Sequence, residues 1–347
     1  MVSDSAPPKG RKKHHFLARL EDRWHRWRQR RARRRGRVAT IIPFDGYGAP
    51  GWVRVLARVV LAKPDAPASE RAAKVRSWRS FLSVPSDDRE LVVRVGEQVR
   101  TIPIGRGGVV DAHVQEHLTP GWHAVHLSVT GSEPISTRVF IVDPAERFGL
   151  VSDIDDTVMV TALPRPLLAA WNTFIVDEHA RRPVDGMAVL YDRVHRQHQD
   201  APIIYLSTGA WNVAPTLRRF LSRNLYPAGP LLLTDWGPTP DRFFRNGREH
   251  KRSQLRRLAG EFPEVRWLLV GDDGQHDEEI YAEFAREHPR NVAAVCIRQL
   301  SAGEAVLAGG RKKAADREAE SPVRWFFAPD GAGLLEQLVG AGIVAAR

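Results

Sequence analysis

Eight side chains capable of catalysis or metal binding follow apolar runs in the C-terminal part of this 347-residue chain: Asp153, Asp155, Thr157, Ser207, Lys251, Asp272, Asp273 and Asp277. The apolar runs are short, and stretches with helical periodicity separate them. This alternation predicts an α/β domain with a doubly wound parallel sheet. Because ligands bind at the carboxyl ends of the strands in such sheets, we expect the eight side chains to converge on one site.

Phosphoryl transfer is the chemistry that needs this set of residue types. Clustered carboxylates repel each other unless a divalent cation neutralises them, and hard oxygen ligands favour Mg²⁺. An aspartate can attack a phosphoryl group to give an aspartyl-phosphate. A second acid two residues along the chain can protonate the leaving oxygen and then deprotonate water. A lysine and a hydroxyl can hold the phosphate oxygens. The residues therefore predict a magnesium-dependent phosphatase.

The order of these residues resembles the four motifs of the haloacid-dehalogenase superfamily. Four longer segments resemble, more closely, the actin-patch-associated phosphatidate phosphatase family, which is related to the lipin catalytic domain. These segments are residues 152–157 (SDIDDT), 205–212 (YLSTGAWN), 250–251 (HK) and 271–281 (GDDGQHDEEIY). The resemblance covers about residues 146–345, and the β-rich segment before them also looks like that of the family's bacterial members.

The resemblance implies roles for the first motif. Asp153 matches the nucleophile, which is also a metal ligand. Asp155 matches the general acid/base and lends its backbone carbonyl to the metal. Thr157 matches the position that orients these acids, so we place it at the substrate side of the site.

The later motifs imply the rest of the site. Ser207 and Lys251 match the pair that holds the phosphate. Asp272 matches the metal-binding acid of the fourth motif, with Asp273 or Asp277 as outer support. The family often has Ser where Asp273 stands, so the affinity for the metal could differ.

A lipid phosphomonoester is the substrate that the resemblance implies. Family members often have Ser-Pro where Gly209-Ala210 stands, so contacts with the substrate near the second motif could differ. The segment between the first and second motifs is too short for a separate cap domain, which predicts an open site suited to a surface-bound substrate. Phosphatidate hydrolysed to diacylglycerol is the leading hypothesis. A soluble or nucleic-acid phosphomonoester and a non-catalytic phospholipid-binding module are the alternatives; the intact acids argue against the last.

Three segments divide the chain: a basic arm at residues 1–37, a β-rich domain at 38–145 and the phosphatase domain at 146–347. The β-rich domain is predicted to be sandwich-like, because short alternating runs are separated by turn residues. Its predicted strands are Trp52–Val60, Leu91–Val95, Val99–Ile104, Trp122–Val129 and Ser136–Val142. The strands predicted after it are Phe148–Val151, Ile203–Leu206, Leu231–Leu233, Trp267–Val270, Val292–Ile297 and Val323–Phe327.

Helices are predicted between these last strands and after them. They are Leu167–Val176, Gly186–Gln197, Val213–Leu225, Lys251–Glu261, Asp277–Glu287 and Gly333–Gly340. Residues 302–322 are rich in Gly, Ala and Lys and are predicted to form a loose insertion.

The basic arm carries the whole net charge of the protein. Residues 1–37 contain 14 lysines and arginines against three acids, a surplus equal to the +11 of the full chain. Phe16, Leu17, Leu20, Trp24 and Trp27 share one arc of a helical wheel, beside an arc of arginines. A basic amphipathic helix with Trp is typical of a membrane surface, here met by residues 11–37. Nucleic acid, docking on the protein itself and a loose tail remain alternatives.

The composition favours a cytoplasmic protein with peripheral membrane association. Cys296 is the single cysteine, so no intrachain disulfide can form. The sequence has no apolar run of 18 residues, and its N-terminus is basic where a signal peptide would be apolar.

Overall fold

The computed structural model describes residues 27–64, 84–86, 90–130, 132–160, 182–234, 240–274, 276–307 and 323–346. Most of the predicted amphipathic helix of the arm, the helix predicted at Leu167–Val176 and residues 308–322 lie outside these ranges. Within the described part, no helix is both long enough and apolar enough to cross a bilayer.

Eight strands of the N-terminal part form one hydrogen-bonded sheet. They are β1 (Val38–Ala49), β2 (Gly51–Ala62), β3 (Val84–Pro85), β4 (Glu90–Val95), β5 (Gln98–Pro103), β6 (Val109–Glu116), β7 (Gly121–Val129) and β8 (Ile135–Ile141). The order is β3-β2-β1-β8-β7-β4-β5, and β6 pairs with β2. All pairs are antiparallel except β1 with β8. A two-layer sandwich stays a prediction.

The longest strand that the sequence patterns did not predict is β1. Pro43, Gly46 and Gly48 interrupt its apolar run and weaken the period-2 pattern. The glycines are needed because a Cβ at Gly46 would lie 2.1 Å from the carbonyl oxygen of Arg54. The backbones of β1 and β2 therefore approach too closely for any other residue there.

Six strands form the second sheet, and all its pairs are parallel. They are β9 (Phe148–Ser152), β12 (Ile203–Ala210), β13 (Leu231–Thr234), β14 (Arg266–Asp272), β15 (Val292–Arg298) and β16 (Trp325–Ala328). Their order is β13-β12-β9-β14-β15-β16. The chain thus builds outward from β9 on one side and then from β14 on the other. This is a doubly wound arrangement with its switch point between β9 and β14. Two short strands, β10 (Met159–Val160) and β11 (Arg182–Pro183), form a separate antiparallel pair.

Six helices accompany the parallel sheet in the described ranges. They are α1 (Met187–Gln197), α2 (Ala214–Arg223), α3 (Pro240–Glu261), α4 (Asp277–Glu287), α5 (Ala302–Leu307) and α6 (Gly331–Gly340). The predicted start of α3 at Lys251 is wrong by eleven residues, because the polar run before it and Gly247 hide the helical period. The predicted loose insertion is also wrong at its start, where α5 forms.

The two sheets share one continuous core. Phe44, Tyr47 and Leu56 of the first sheet are buried in the same cluster as the strands of the second. A polar network borders this contact: the Tyr47 hydroxyl donates to Glu261 over 2.8 Å, and Arg54 bonds to Glu261 over 2.6 Å. The β-rich part is therefore fixed against the C-terminal half of α3, the helix that carries Lys251.

Candidate active site

The site lies at the switch point of the parallel sheet. Asp153 directly follows β9, and Asp272 is the last residue of β14. The two strands are neighbours, and the backbone N–H of Asp153 donates to the carbonyl of Val270 over 2.8 Å. Adjacent parallel strands that end together therefore bring the first and fourth motifs into contact, as expected for this edge.

Lys251 reaches this edge from α3 and binds two of the acids. Its Nζ lies 2.7 Å from Asp153 Oδ1 and 2.5 Å from Asp277 Oδ1. The helix can come this close because Gly247 has no side chain; a Cβ there would lie 3.0 Å from the methyl of Thr208. Lys251 is 2% exposed, so its positive charge interacts with these two acids and not with solvent.

Three carboxylates form a group suited to a metal ion. One oxygen each of Asp153, Asp272 and Asp277 lies within 4.8 Å of the others, and all three residues are buried. Asp277, predicted as outer support, thus belongs to the group itself. The side chain of Asp155 does not, and its predicted contribution was a backbone carbonyl. Buried carboxylate oxygens are the donors that a hard divalent cation takes.

The electrostatics of the group favour a bound cation. Burial raises the pKa of Asp153 and Asp272 well above the usual range for aspartate, and repulsion from neighbouring acids adds to this. Burial lowers the pKa of Lys251, but attraction to Asp153 and Asp277 outweighs burial and leaves it higher than usual. One lysine is therefore too few to offset the negative charge that these buried acids carry when they are ionised, and a cation would stabilise the ionised form.

The second half of the site joins the first and second motifs. Ser207 Oγ donates to Asp155 Oδ2 over 2.9 Å and accepts from the N–H of Gly209 over 3.0 Å. Thr157 Oγ1 donates to Asp153 Oδ2 over 3.3 Å. The sequence predicted that Ser207 holds the phosphate. In the structure its hydroxyl contacts Asp155, the predicted acid/base.

Asp273 lies apart from the carboxylate group. Its Oδ1 accepts from the N–H of Leu300 over 2.8 Å. Asp272 Oδ1 accepts from the N–H of Gly274 over 2.7 Å within the same turn. Asp273 therefore stabilises the loop after β15. The presence of Asp in place of the family's Ser at this position affects that loop more than it affects the carboxylate group.

Arg298 is a buried residue of this edge that sequence reasoning missed. Its guanidinium donates to the carbonyl of Asp156 over 2.8 Å, to Glu304 over 2.7 Å and to the carbonyl of Pro329 over 3.2 Å. Asp156 has a left-handed backbone, φ +58°, which is rare outside glycine. Arg298 is the last residue of β15, so the rule that found Asp153 at a strand end could have found it.

Tyr191 of α1 is a second missed residue. Its hydroxyl lies 2.5 Å from Ser152 Oγ, which donates to the carbonyl of Asp153. Tyrosine on an apolar helix face looks like core in a sequence, and only the fold shows its polar end beside the first motif.

Residues 148–299 match the sequence model of the family described as "Phosphatidate phosphatase APP1, catalytic domain". This segment of the chain is thus similar in sequence to the catalytic domain of that family. The segment contains both halves of the site described above. Every predicted site residue falls within it.

Two curated fungal proteins are similar over this region. Phosphatidate phosphatase APP1 of Saccharomyces cerevisiae is 27% identical over 154 residues, which are 44% of this chain and 26% of the relative. Uncharacterized protein C29B5.04c of Schizosaccharomyces pombe is 25% identical over 152 residues, 44% of this chain and 25% of the relative. The match thus spans about a quarter of the length of these relatives.

Among solved structures, XAC1771, a carbohydrate acetylesterase from Xanthomonas citri, is 8% identical with a TM-score of 0.27. The alignment covers 79% of this chain and 73% of that one. A likeness this weak supports no inference about fold or function.

Proposed function

We propose that this protein is a magnesium-dependent phosphatidate phosphatase that hydrolyses phosphatidate, or a similar lipid phosphomonoester, to diacylglycerol and phosphate. The observation that carries the proposal is the buried group of Asp153, Asp272, Asp277 and Lys251 inside a segment of the APP1 catalytic-domain family. The doubly wound sheet and the acids after β9 support a haloacid-dehalogenase-like domain. The β-rich part before it is proposed to be sandwich-like.

Asp153 is the proposed nucleophile. Its Oδ attacks the phosphorus, the bond to the lipid oxygen breaks, and an aspartyl-phosphate forms. Asp155 gives a proton to the leaving oxygen and then takes one from the water that hydrolyses the intermediate. The hydroxyl of Ser207, bonded to Asp155, fixes the orientation of that carboxyl group.

Asp153, Asp272 and Asp277, with the backbone carbonyl of Asp155, are the proposed holders of Mg²⁺. The ion would neutralise these acids and reduce their repulsion toward an anionic phosphate. Lys251 supplies a fixed positive charge beside the nucleophile, and it stabilises charge on the phosphate oxygens. Thr157 orients the nucleophile through its bond to Asp153.

Peripheral association with an anionic membrane from the cytoplasm is part of the proposal. The charge of residues 11–37 supports it, because each basic residue near an anionic bilayer adds about 1 kcal/mol of attraction. A bilayer is also where phosphatidate is found.

The test is phosphate release from phosphatidate in detergent micelles, with and without Mg²⁺, beside Asp153→Asn. We expect release that requires the metal and that the variant abolishes. Asp155→Asn should slow turnover strongly, since proton transfer accounts for about a hundredfold to ten-thousandfold of such rates. Asp192→Asn, at an exposed position of α1, is the matched control and should leave turnover unchanged.

Two other outcomes would change the conclusion. Variant-sensitive release from an aryl phosphate but not from phosphatidate would keep the mechanism and move the substrate to a soluble phosphomonoester. No release from either would contradict catalysis and leave a lipid-binding role.

A further inference from the structure

The open end of the β1–β2 hairpin carries a concentrated basic surface. Residues 27–34 are helical and pack on this end through buried Gln29 and Ala32, with Ala32 against Leu61 and Val84. The opposite side of the helix is exposed. We name the exposed surface the basic end, and its residues are Trp27, Arg30, Arg31, Arg34, Arg35 and Lys63.

The basic end combines charge with an aromatic ring. Trp27 is 56% exposed, and the guanidinium of Arg31 lies 5.6 Å from its ring centre. Residues 27–64 contain one acid, Asp45, and it lies elsewhere, paired with Arg138 and Arg218. The exposed Trp is therefore held among cations with no acid from the same segment to neutralise them. An exposed Trp beside exposed cations suits the boundary between lipid headgroups and acyl chains.

The direction of β1 sets where this surface lies. Phe44 stacks on Trp211, which follows the carboxyl end of β12, with ring centres 4.7 Å apart. Three residues later, Tyr47 packs on Phe262, just before the start of β14, at 5.9 Å. The strand thus runs from the catalytic edge of the parallel sheet toward its opposite edge. Its first residue, Val38, lies six residues before Phe44, about 20 Å further toward the catalytic side.

We propose that the basic end binds an anionic lipid bilayer and that it turns the catalytic edge of the parallel sheet toward that bilayer. This inference rests on the proposed function for its substrate, but its surface and orientation are tested by binding alone. The partner is a lipid surface, because Trp27 offers an apolar ring among the cations. The shared core and the Glu261 network hold the two sheets in a fixed relative position. Binding of the bilayer at the basic end therefore also orients the catalytic edge of the parallel sheet.

The first experiment is co-sedimentation of the full chain with vesicles of phosphatidylcholine and phosphatidylserine. A variant with the four arginines of the basic end changed to glutamine should bind on the order of a thousandfold more weakly, at about 1 kcal/mol for each arginine. The matched control changes four exposed arginines at the opposite edge: Arg147, Arg266, Arg286 and Arg290. It removes the same charge and should bind like the parent protein. Trp27→Ala should also weaken binding to the vesicles. Its effect should remain at high salt, where the attraction between charges is screened but the apolar contribution of the ring is not.

The second experiment reads orientation. A thiol-reactive, environment-sensitive dye is placed at Lys63→Cys or, in a separate protein, at Arg266→Cys; both positions are exposed, and the native Cys296 is fully buried. Vesicles should shift the emission of the dye at position 63 and leave the dye at position 266 unchanged. Variants of the basic end should keep hydrolysis of a soluble aryl phosphate, which separates loss of docking from loss of catalysis.

Equal loss of binding in both four-arginine variants would overturn the proposal, because charge alone and not its place would then matter. A shift at position 266 in place of 63 would overturn the orientation. Tighter binding to duplex DNA than to vesicles at matched salt would also overturn the proposal, because it would show that the basic end binds nucleic acid in preference to lipid. Each of these results is independent of whether phosphatidate is hydrolysed.

Discussion

Replacing Arg298 with Met should both destabilise the protein and slow its reaction. The guanidinium is buried and donates to the carbonyls of Asp156 and Pro329 and to the carboxylate of Glu304. Methionine fills a similar length and offers no donor. The buried carbonyl of Asp156 then loses a charged donor, at about 1–3 kcal/mol for a group left unsatisfied. Pro329 is exposed, so its carbonyl can regain water, and the Glu304 side chain, 21% exposed, can regain water in part. We expect a loss of about 2–4 kcal/mol in the free energy of unfolding.

The kinetic effect follows from the backbone at Asp156. A left-handed non-glycine residue costs about 1–2 kcal/mol, so the turn after Asp155 relaxes once its carbonyl is released. A displacement of about 1 Å in a catalytic group can slow a reaction a hundredfold. We expect kcat for a soluble aryl phosphate to fall by about that factor and KM to change little, because binding of the ester uses other groups.

Urea unfolding and steady-state kinetics on the folded protein measure the two effects. Arg298→Lys keeps the charge, but the lysine cannot reach Asp156 and Glu304 together. Its free energy of unfolding and its kcat should therefore lie between those of the parent protein and those of Arg298→Met. Arg256→Met is the control: its exposed pairs with Glu283 and Glu287 are screened by water, and neither quantity should change much. A stable Arg298→Met protein, or an unstable one with unchanged kcat, would refute the idea that this arginine holds the turn.

Three further predictions test the metal group, a buried histidine and the contact between the sheets. Asp272→Asn should raise the thermal midpoint in metal-free buffer by relieving repulsion, and it should abolish the rise in midpoint that we expect Mg²⁺ to give the parent protein; equal rises in both proteins would contradict the ligand role. Burial lowers the pKa of His250 from 6.5 to about 4, so the unfolded chain takes up a proton before the folded protein does. The stability that neutral His250 contributes is complete above pH 6.5 and should fall by about 3 kcal/mol toward pH 4. The measurement is the free energy of unfolding in urea as a function of pH, compared with that of His250→Gln, in which this position does not titrate. Parallel curves for the two proteins would contradict the prediction. Glu261→Gln weakens the acceptor of Tyr47 and should cost about 1–3 kcal/mol in urea unfolding, whereas Tyr47→Phe in that background should add little; additive losses would show separate contributions.

The location of the site could be read from the sequence because it depends on local patterns. An apolar strand followed by acids is visible in neighbouring residues, and Asp153 and Asp272 both lie where the strand-end rule puts them. The helix Asp277–Glu287 has its predicted bounds for the same reason, since its amphipathic period is regular. The excess charge of the arm is likewise a property of composition.

Long-range packing decided what the sequence patterns missed. The strand β1 has glycines where β2 comes close, and α3 begins eleven residues early under a polar run, so neither shows a clean local period. Which side of residues 27–34 faces outward also depended on packing, because Gln29 and Ala32 are buried, Ala32 against Leu61 and Val84 of the sheet, whereas Trp27 is exposed.

The sequence by itself determined the residue types of the site and the edge of the sheet on which they lie. Only the tertiary structure decided which carboxylates share a metal-sized group, because β9 and β14 are neighbours and α4 brings Asp277 to them. It also decided that Arg298 reaches the turn at Asp156, across 142 residues of chain. Such contacts depend on the pairing of distant strands, and chain-local hydrophobic periodicity carries no record of that pairing.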